Sequence, residues 1–350
     1  MASTPQEVAW PRNSHGSVER ERDKTYALGR ITSVMAIEGK TNNMAGLLTG
    51  KIALVTGAGH GIGRGHGLEL VKQGATVIVN DLGSSVSGEG AGRDADVVVD
   101  MIKARGGMAF ADYGDVGDED QVEAMIERAF KEFGRVDILV NNAGIVRDKA
   151  IWNMSANDFD LVMRVHVQGT WLACRSVAKR WREQAKAADS GKVYGRIINN
   201  TSGTGLLGNF GQTNYATAKA AIVGLSLTLS LELAAIGATV NVIGPGGLTR
   251  ISATMSGAAP IEPGDLADDE FHPKDPSLCC PVVAWLASDE AGHVSGQVIR
   301  AMGEHIHLMG GWTEERTISN GGKRWDAQKL GAIFATDLFD TRARGLRMGG

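Results

Sequence analysis

The chain has 350 residues, 43% of them hydrophobic, and a net charge of −4, enough for one large α/β domain with a sizeable core. A sequence pI near 6.1 excludes the basic footprint of a nucleic-acid or anionic-membrane binder. Three cysteines (Cys174, Cys279 and Cys280) are odd in number and lack zinc-ligand spacing, so buried thiols in a reducing compartment are expected, with no disulfide framework and no metal.

Residues 1–43 have no sustained periodicity and carry mixed charge and proline where a secretory signal needs an apolar stretch. Two readings of this extension, bounded at residue 46, stay open: a flexible segment, or a misassigned start with the natural chain opening at Met44. From Lys51 onward short β-type runs alternate with helical patterns. The strands are expected at Ile52–Val55, Thr76–Val79, Met108–Ala111, Val136–Val140, Arg196–Asn199, Thr239–Ile243 and Gln297–Arg300. The clearest helix is Asp118–Phe133, where Val122, Ile126, Ala129, Phe130 and Phe133 share one face. Such alternation predicts a single Rossmann-type domain over 47–312, with a doubly wound parallel sheet of about seven strands. The tail 313–350 holds a short helix around Trp325–Phe334. No apolar run approaches the roughly 18 residues of a membrane span, and a cytoplasmic protein is expected.

The first strand runs into Thr56-Gly57-Ala58-Gly59-His60-Gly61-Ile62-Gly63, followed by a helix. Such a loop lets backbone approach a pyrophosphate, and the helix N-terminus offers it free N–H groups. The second strand ends at Asp81, placed to bond adenosine ribose hydroxyls and to repel a 2′-phosphate, which favours NAD over NADP. His60 is a counter-signal, because a protonated imidazole in the loop contacts an extra phosphate. Further on, Tyr215 and Lys219 lie four apart on one helix face, and a nearby ammonium stabilises a phenolate. Tyr215 is therefore a general acid–base candidate, with the Ser202 hydroxyl beyond a strand end to bond the reacting oxygen.

Together with Asp115-Val116, Asn141-Asn142-Ala143-Gly144 and Pro245-Gly246, these motifs resemble the short-chain dehydrogenase/reductase family over about Leu47 to Trp312. The resemblance implies that Tyr215 exchanges the proton, Ser202 orients the substrate oxygen, and Lys219 binds the nicotinamide ribose and lowers the Tyr215 pKa. It implies that Asp115 and Val116 hold adenine, that Asn142, Ala143 and Gly144 line the cleft, and that Thr249 contacts the nicotinamide end. Where the family carries a catalytic Asn, this chain has His166, read either as a relay group or as a structural histidine bonded to backbone. His166, Asn80-Asp81-Leu82-Gly83 and Gly208-Asn209-Phe210-Gly211-Gln212 are similar to the (3R)-hydroxyacyl-CoA dehydrogenase domain of multifunctional enzyme type 2. This implies NAD-dependent oxidation of a (3R)-hydroxyacyl-CoA or a hydroxysteroid, in a homodimer or homotetramer.

The alternatives are a 3-ketoacyl thioester reductase, a non-catalytic dinucleotide-binding protein, and a lyase or epimerase. Gly83–Arg93 reads as a flexible connection or as a cover over the adenosine end. Thr249–Pro276 reads as a substrate lid. His305-x-His307 lacks a third ligand and reads as structural or interfacial.

Overall fold

Seven of the apolar runs pair side by side in the computed structural model, which describes residues 46–266, 270–311, 317–322 and 324–333. They are β1 (Ile52–Thr56), β2 (Thr76–Asn80), β3 (Ala109–Asp112), β4 (Ile138–Asn141), β5 (Arg196–Asn200), β6 (Thr239–Pro245) and β7 (Val298–Met302). All seven are parallel, in the order β3-β2-β1-β4-β5-β6-β7. The expected strand positions shift by at most two residues. An eighth strand, β8 (His305–Leu308), adds antiparallel to β7 and extends the sheet beyond the seven expected.

The connections are α1 (Gly61–Lys72), α2 (Asp94–Ala104), α3 (Glu119–Phe133), α4 (Ala156–Met163), α5 (Gly169–Ala187), α6 (Gly203–Leu207), α7 (Thr213–Ala234), α8 (Arg250–Ser256) and α9 (Cys280–Leu286), with α10 (Ala327–Ile333) in the tail. Strands buried on both faces need helices on both faces. One core lies against α1, α2 and α9, and contains Val55, Val79 and Val283. The other lies against α3, α5 and α7, and contains Leu54, Ile126 and Trp181. Helix α3 begins where Asp118 caps it, its side chain accepting from Gln121 N at 3.0 Å. The helix expected at Trp325–Phe334 is α10; Phe334 lies outside the described residues.

Helix α7 corrects one expectation, since it is long and apolar enough to cross a membrane by length and composition. Here it lies against β5 and β6 and buries Asn214, Ala218 and Ile222. Between α4 and α5 the helix widens into a π-turn at Arg164–Gln168. Strand β1 sits between β2 and β4, so the chain departs from it in both directions. Beyond the carboxyl ends of such a pair of strands a crevice opens, and the site is built there.

Candidate active site

Helix α1 starts directly after the glycine loop, and no side chain of its own first turn caps it. A Cβ at Gly63 would lie 2.1 Å from Gly57 O, so the loop closes this tightly only around glycine. Thr56 and Asn142 brace it: Asn142 N and Ala143 N each donate to Thr56 Oγ1 at 3.1 Å, and Asn142 Nδ2 donates to Gly57 O at 2.8 Å. Asp81 ties two loops together, Oδ2 accepting from Gly59 N and Oδ1 from Gly83 N, both at 2.7 Å.

A cleft runs along these groups. Gly57, His60, Gly61, Ile62, Gly63, Asp81, Leu82, Asp115, Val116, Asn142, Ala143, Gly144 and Thr249 all line it. Pro245 is not among the lining residues; it ends β6. Asp115 Oδ2 accepts from Arg164 Nη1 at 2.9 Å, which joins one wall to the π-turn. The glycine-rich loop after β2 folds over the cleft, where Ser84, Ser85 and Val86 line it. Arg147 Nε holds that loop through Ser87 O at 2.9 Å.

The α1 N-terminus is already in contact with an anion from the chain itself. Glu262 Oε2 accepts from Gly61 N at 2.7 Å, and its Oε1 lies 3.1 Å from His60 Nδ1. The other His60 nitrogen lies 3.1 Å from Asp94 Oδ2. A carboxylate oxygen thus occupies the position in which a helix N-terminus takes a phosphate oxygen, so the residues present fit a dinucleotide pyrophosphate. Both His60 ring nitrogens are thus engaged by carboxylates of the chain itself. Glu262 and Asp94 carried no sequence signal; Glu262 lies 201 residues from Gly61 and meets it only through the fold.

Ser202, Tyr215, Lys219 and His166 are not among the lining residues either; they are joined to the cleft wall through Ile145, which His166 contacts. The Ser202 hydroxyl stands near enough to the Tyr215 phenol to favour its phenolate, and Ser202 also caps α6, its Oγ accepting from Thr204 N at 3.2 Å. Lys219 is buried, its Nζ donating to Asn200 O at 2.8 Å and lying 5.6 Å from the Tyr215 ring centre. His166 stands edge-on to Tyr215 with ring centres 5.3 Å apart. Its Nε2 lies 2.8 Å from Ile145 O and 3.1 Å from Ile145 N, and one nitrogen serves only one of these at a time. We assign the shorter contact, in which Nε2–H donates to the carbonyl. Nδ1 is then a buried lone pair without a partner among the described residues. A Cβ on Gly144 would fall 2.3 Å from the His166 ring, so glycine there admits the imidazole.

The electrostatics depart from one sequence expectation. Burial pushes the Tyr215 phenol up to about 12, with the Ser202 hydroxyl acting in the opposite direction. Burial also brings the Lys219 ammonium down to about 7. The phenol is thus raised rather than lowered, because loss of water around the phenolate outweighs an ammonium held against a carbonyl. Burial, then the Lys219 charge, holds His166 down at about 3, so its imidazole is neutral at ordinary pH.

Residues 51–258 match the family model described as short chain dehydrogenase. The chain is also 40% identical over 291 residues to hydroxyacyl-CoA dehydrogenase ChsB1 of Mycobacterium tuberculosis, covering 82% of this chain and 88% of that protein. The chain belongs to the short-chain dehydrogenase family. This dehydrogenase is likewise 40% identical over 264 residues to peroxisomal multifunctional enzyme type 2 of Drosophila melanogaster, covering 75% of this chain and 39% of that longer protein. A solved short-chain dehydrogenase from Mycobacterium avium superposes with a TM-score of 0.73 at 40% identity, covering 85% of this chain and 98% of that one. As an oxidoreductase of this family, it interconverts a secondary alcohol and a ketone.

Proposed function

We propose that this dehydrogenase oxidises a 3-hydroxyacyl-CoA with NAD. The observation that carries the chemistry is the Tyr215–Ser202 hydroxyl pair, with Lys219 behind it and His166 linking it to Ile145 of the cleft wall. Bound there, a nicotinamide dinucleotide supplies the hydride acceptor and, when oxidised, a positive charge. Ser202 holds the substrate oxygen, and Tyr215, its phenolate favoured by that positive charge and by Ser202, takes the hydroxyl proton as the carbon loses hydride. Lys219, anchored on Asn200 O, bonds the nicotinamide ribose and keeps a donor beside the phenol. His166 Nδ1 offers an acceptor for a water that passes the proton onward.

Two acidic groups support NAD rather than NADP. Asp81 and Asp94 flank the loop at the adenosine end, where a 2′-phosphate would add like charge. An acyl substrate is supported by the apolar ledge of Trp152 and Phe210, 73% and 81% exposed, which pack edge to face at 6.2 Å. Phe210 adjoins Gly211, whose carbonyl accepts from Lys149 N at 2.8 Å beside the start of α7. The hydroxyacyl-CoA assignment of ChsB1 supports the same class. A second reading, reduction of a 3-ketoacyl thioester, is favoured by 36% identity over 261 residues to a 3-oxoacyl-[acyl-carrier-protein] reductase of Synechocystis. Exposed Trp171, Leu227 and Leu231 on α5 and α7 support a homodimer or homotetramer, which light scattering on the purified chain tests.

The decisive assay follows NADH formation from NAD and a (3R)-hydroxyacyl-CoA, beside NADP, a hydroxysteroid and Tyr215→Phe. Turnover with NAD and the thioester that vanishes in the variant supports the proposal. Turnover only with NADP, or only with the steroid, overturns the cofactor or the substrate assignment respectively.

A further inference from the structure

Behind the phosphate loop, on the face of α1 turned toward α9, lie three groups that the redox chemistry does not use. His66 is wholly buried in the middle of α1, and Cys279 and Cys280 are wholly or almost wholly buried where the chain turns into α9. One imidazole nitrogen and the two sulfurs lie within 4.8 Å of one another. We propose that His66, Cys279 and Cys280 form a binding site for a thiophilic dication such as Zn(II).

The imidazole is the first argument. Buried polar side chains are normally hydrogen-bonded, yet neither nitrogen of His66 has a partner among the described residues. The ring therefore keeps a buried lone pair that no donor among the described residues occupies, which is what a metal requires. The sulfurs are hardly better served. Cys279 Sγ reaches only Pro276 O at 3.3 Å, and Cys280 Sγ reaches Pro276 O and Ile62 O at 3.8 and 3.9 Å.

Space is the second argument. A Cβ on Gly65 would lie 2.8 Å from Cys280 Sγ, so the residue beside His66 is the one that leaves room for that sulfur. A cavity lined by Gly65, Glu69, Asp275 and Cys280 gives a way in from solvent. It also leaves a fourth place for water or for Glu69, one helical turn beyond His66. Zinc bonds sulfur at about 2.3 Å and nitrogen at about 2.0 Å, so tetrahedral donors stand about 3.3–3.9 Å apart. The three donor atoms, within 4.8 Å of one another, need to draw in by about 1 Å to reach that size.

Charge is the third. Two thiolates, a neutral imidazole and a dication sum to zero, which removes the electrostatic objection to burying them. The S₂N donor set selects zinc or copper(I) over magnesium or calcium. The absence of zinc-ligand spacing in the sequence does not bear on this site, because α1 supplies a ligand more than 200 residues before the cysteine pair.

The test uses the full chain, reduced and stripped with a chelator, then titrated with Zn(II) against a chromophoric competitor. One equivalent bound per chain and a melting temperature that rises with zinc are expected. Co(II) in its place gives thiolate-to-cobalt charge-transfer bands. His66→Phe, Cys279→Ser and Cys280→Ser should each weaken binding by at least about 100-fold, with dinucleotide binding retained as evidence of folding. Should those variants misfold, the unaltered chain still decides: zinc should slow alkylation of Cys279 and Cys280, mapped by mass spectrometry, and leave Cys174 unaffected. No stoichiometric binding, or binding undiminished in a folded Cys279→Ser/Cys280→Ser variant, overturns the site.

Discussion

The two ends of the cleft solve opposite problems. At the catalytic end, Lys219 and His166 are buried and Tyr215 half-buried, with pKa values moved against their charged forms, and His166 Nδ1 has no partner among the described residues. At the phosphate end, three groups are engaged by the chain's own carboxylates: Gly59 N by Asp81, Gly61 N by Glu262, and the His60 ring by Glu262 and Asp94. One end waits for charge and the other holds a substitute for it. Binding an oxidised dinucleotide therefore adds what the first lacks and displaces what the second already has.

Four changes separate these roles. The largest effect falls on Tyr215→Phe, which should lower kcat by about 10²–10⁴-fold while dinucleotide affinity, measured by fluorescence titration, stays unchanged. Loss of binding along with turnover would mean that the two ends are not separable. Next comes acid stability. His166 titrates at about 3 in the folded chain against 6.5 when free. The unfolded chain therefore takes up a proton below 6.5 that the folded chain refuses, and stability drains away as pH falls from 6.5 to 3. Each pH unit in that window costs about 1.4 kcal/mol, so urea unfolding of His166→Asn should show a shallower decline. An unchanged slope would place the imidazole in contact with water.

Asp81→Ala removes two charge-assisted bonds at the adenosine end and should weaken NAD binding by about 10–100-fold and narrow the preference over NADP. The smallest effect is expected of Glu262→Gln. Without its charge the side chain competes less for Gly61 N, so NAD should bind about 2–10-fold more tightly, as read by calorimetry. Weaker binding would show that Glu262 shapes the cleft instead of standing in for phosphate.

The same contrast governs what the sequence discloses. Strands β1 to β7 are legible because strands covered on both faces must be apolar throughout. Strand β8 is not, since all four of its residues are exposed and no buried face imposes a pattern. Tyr215, Lys219 and the glycine loop are legible because their spacing follows from one helix turn or one tight loop. Glu262 and Asp94 reach His60 only after the sheet brings distant segments together. The His66–Cys279–Cys280 group is hidden for the same reason. The direction of the Tyr215 shift was misread because spacing registers a neighbouring ammonium but not the water that burial removes.

The π-turn at Arg164–Gln168 carries Arg164, bonded to Asp115 on one wall, and His166, bonded to Ile145 at the other end. A π-turn holds one residue more than the α-helical turn it replaces. Deleting one residue there would restore a regular helix but rotate everything on one side by about 100° about the axis. Arg164 and His166 could then no longer both keep their partners. The segment should accept substitutions far more readily than any change in length, and a library of single-residue deletions across α4 and α5 should find its sharpest intolerance at these five positions.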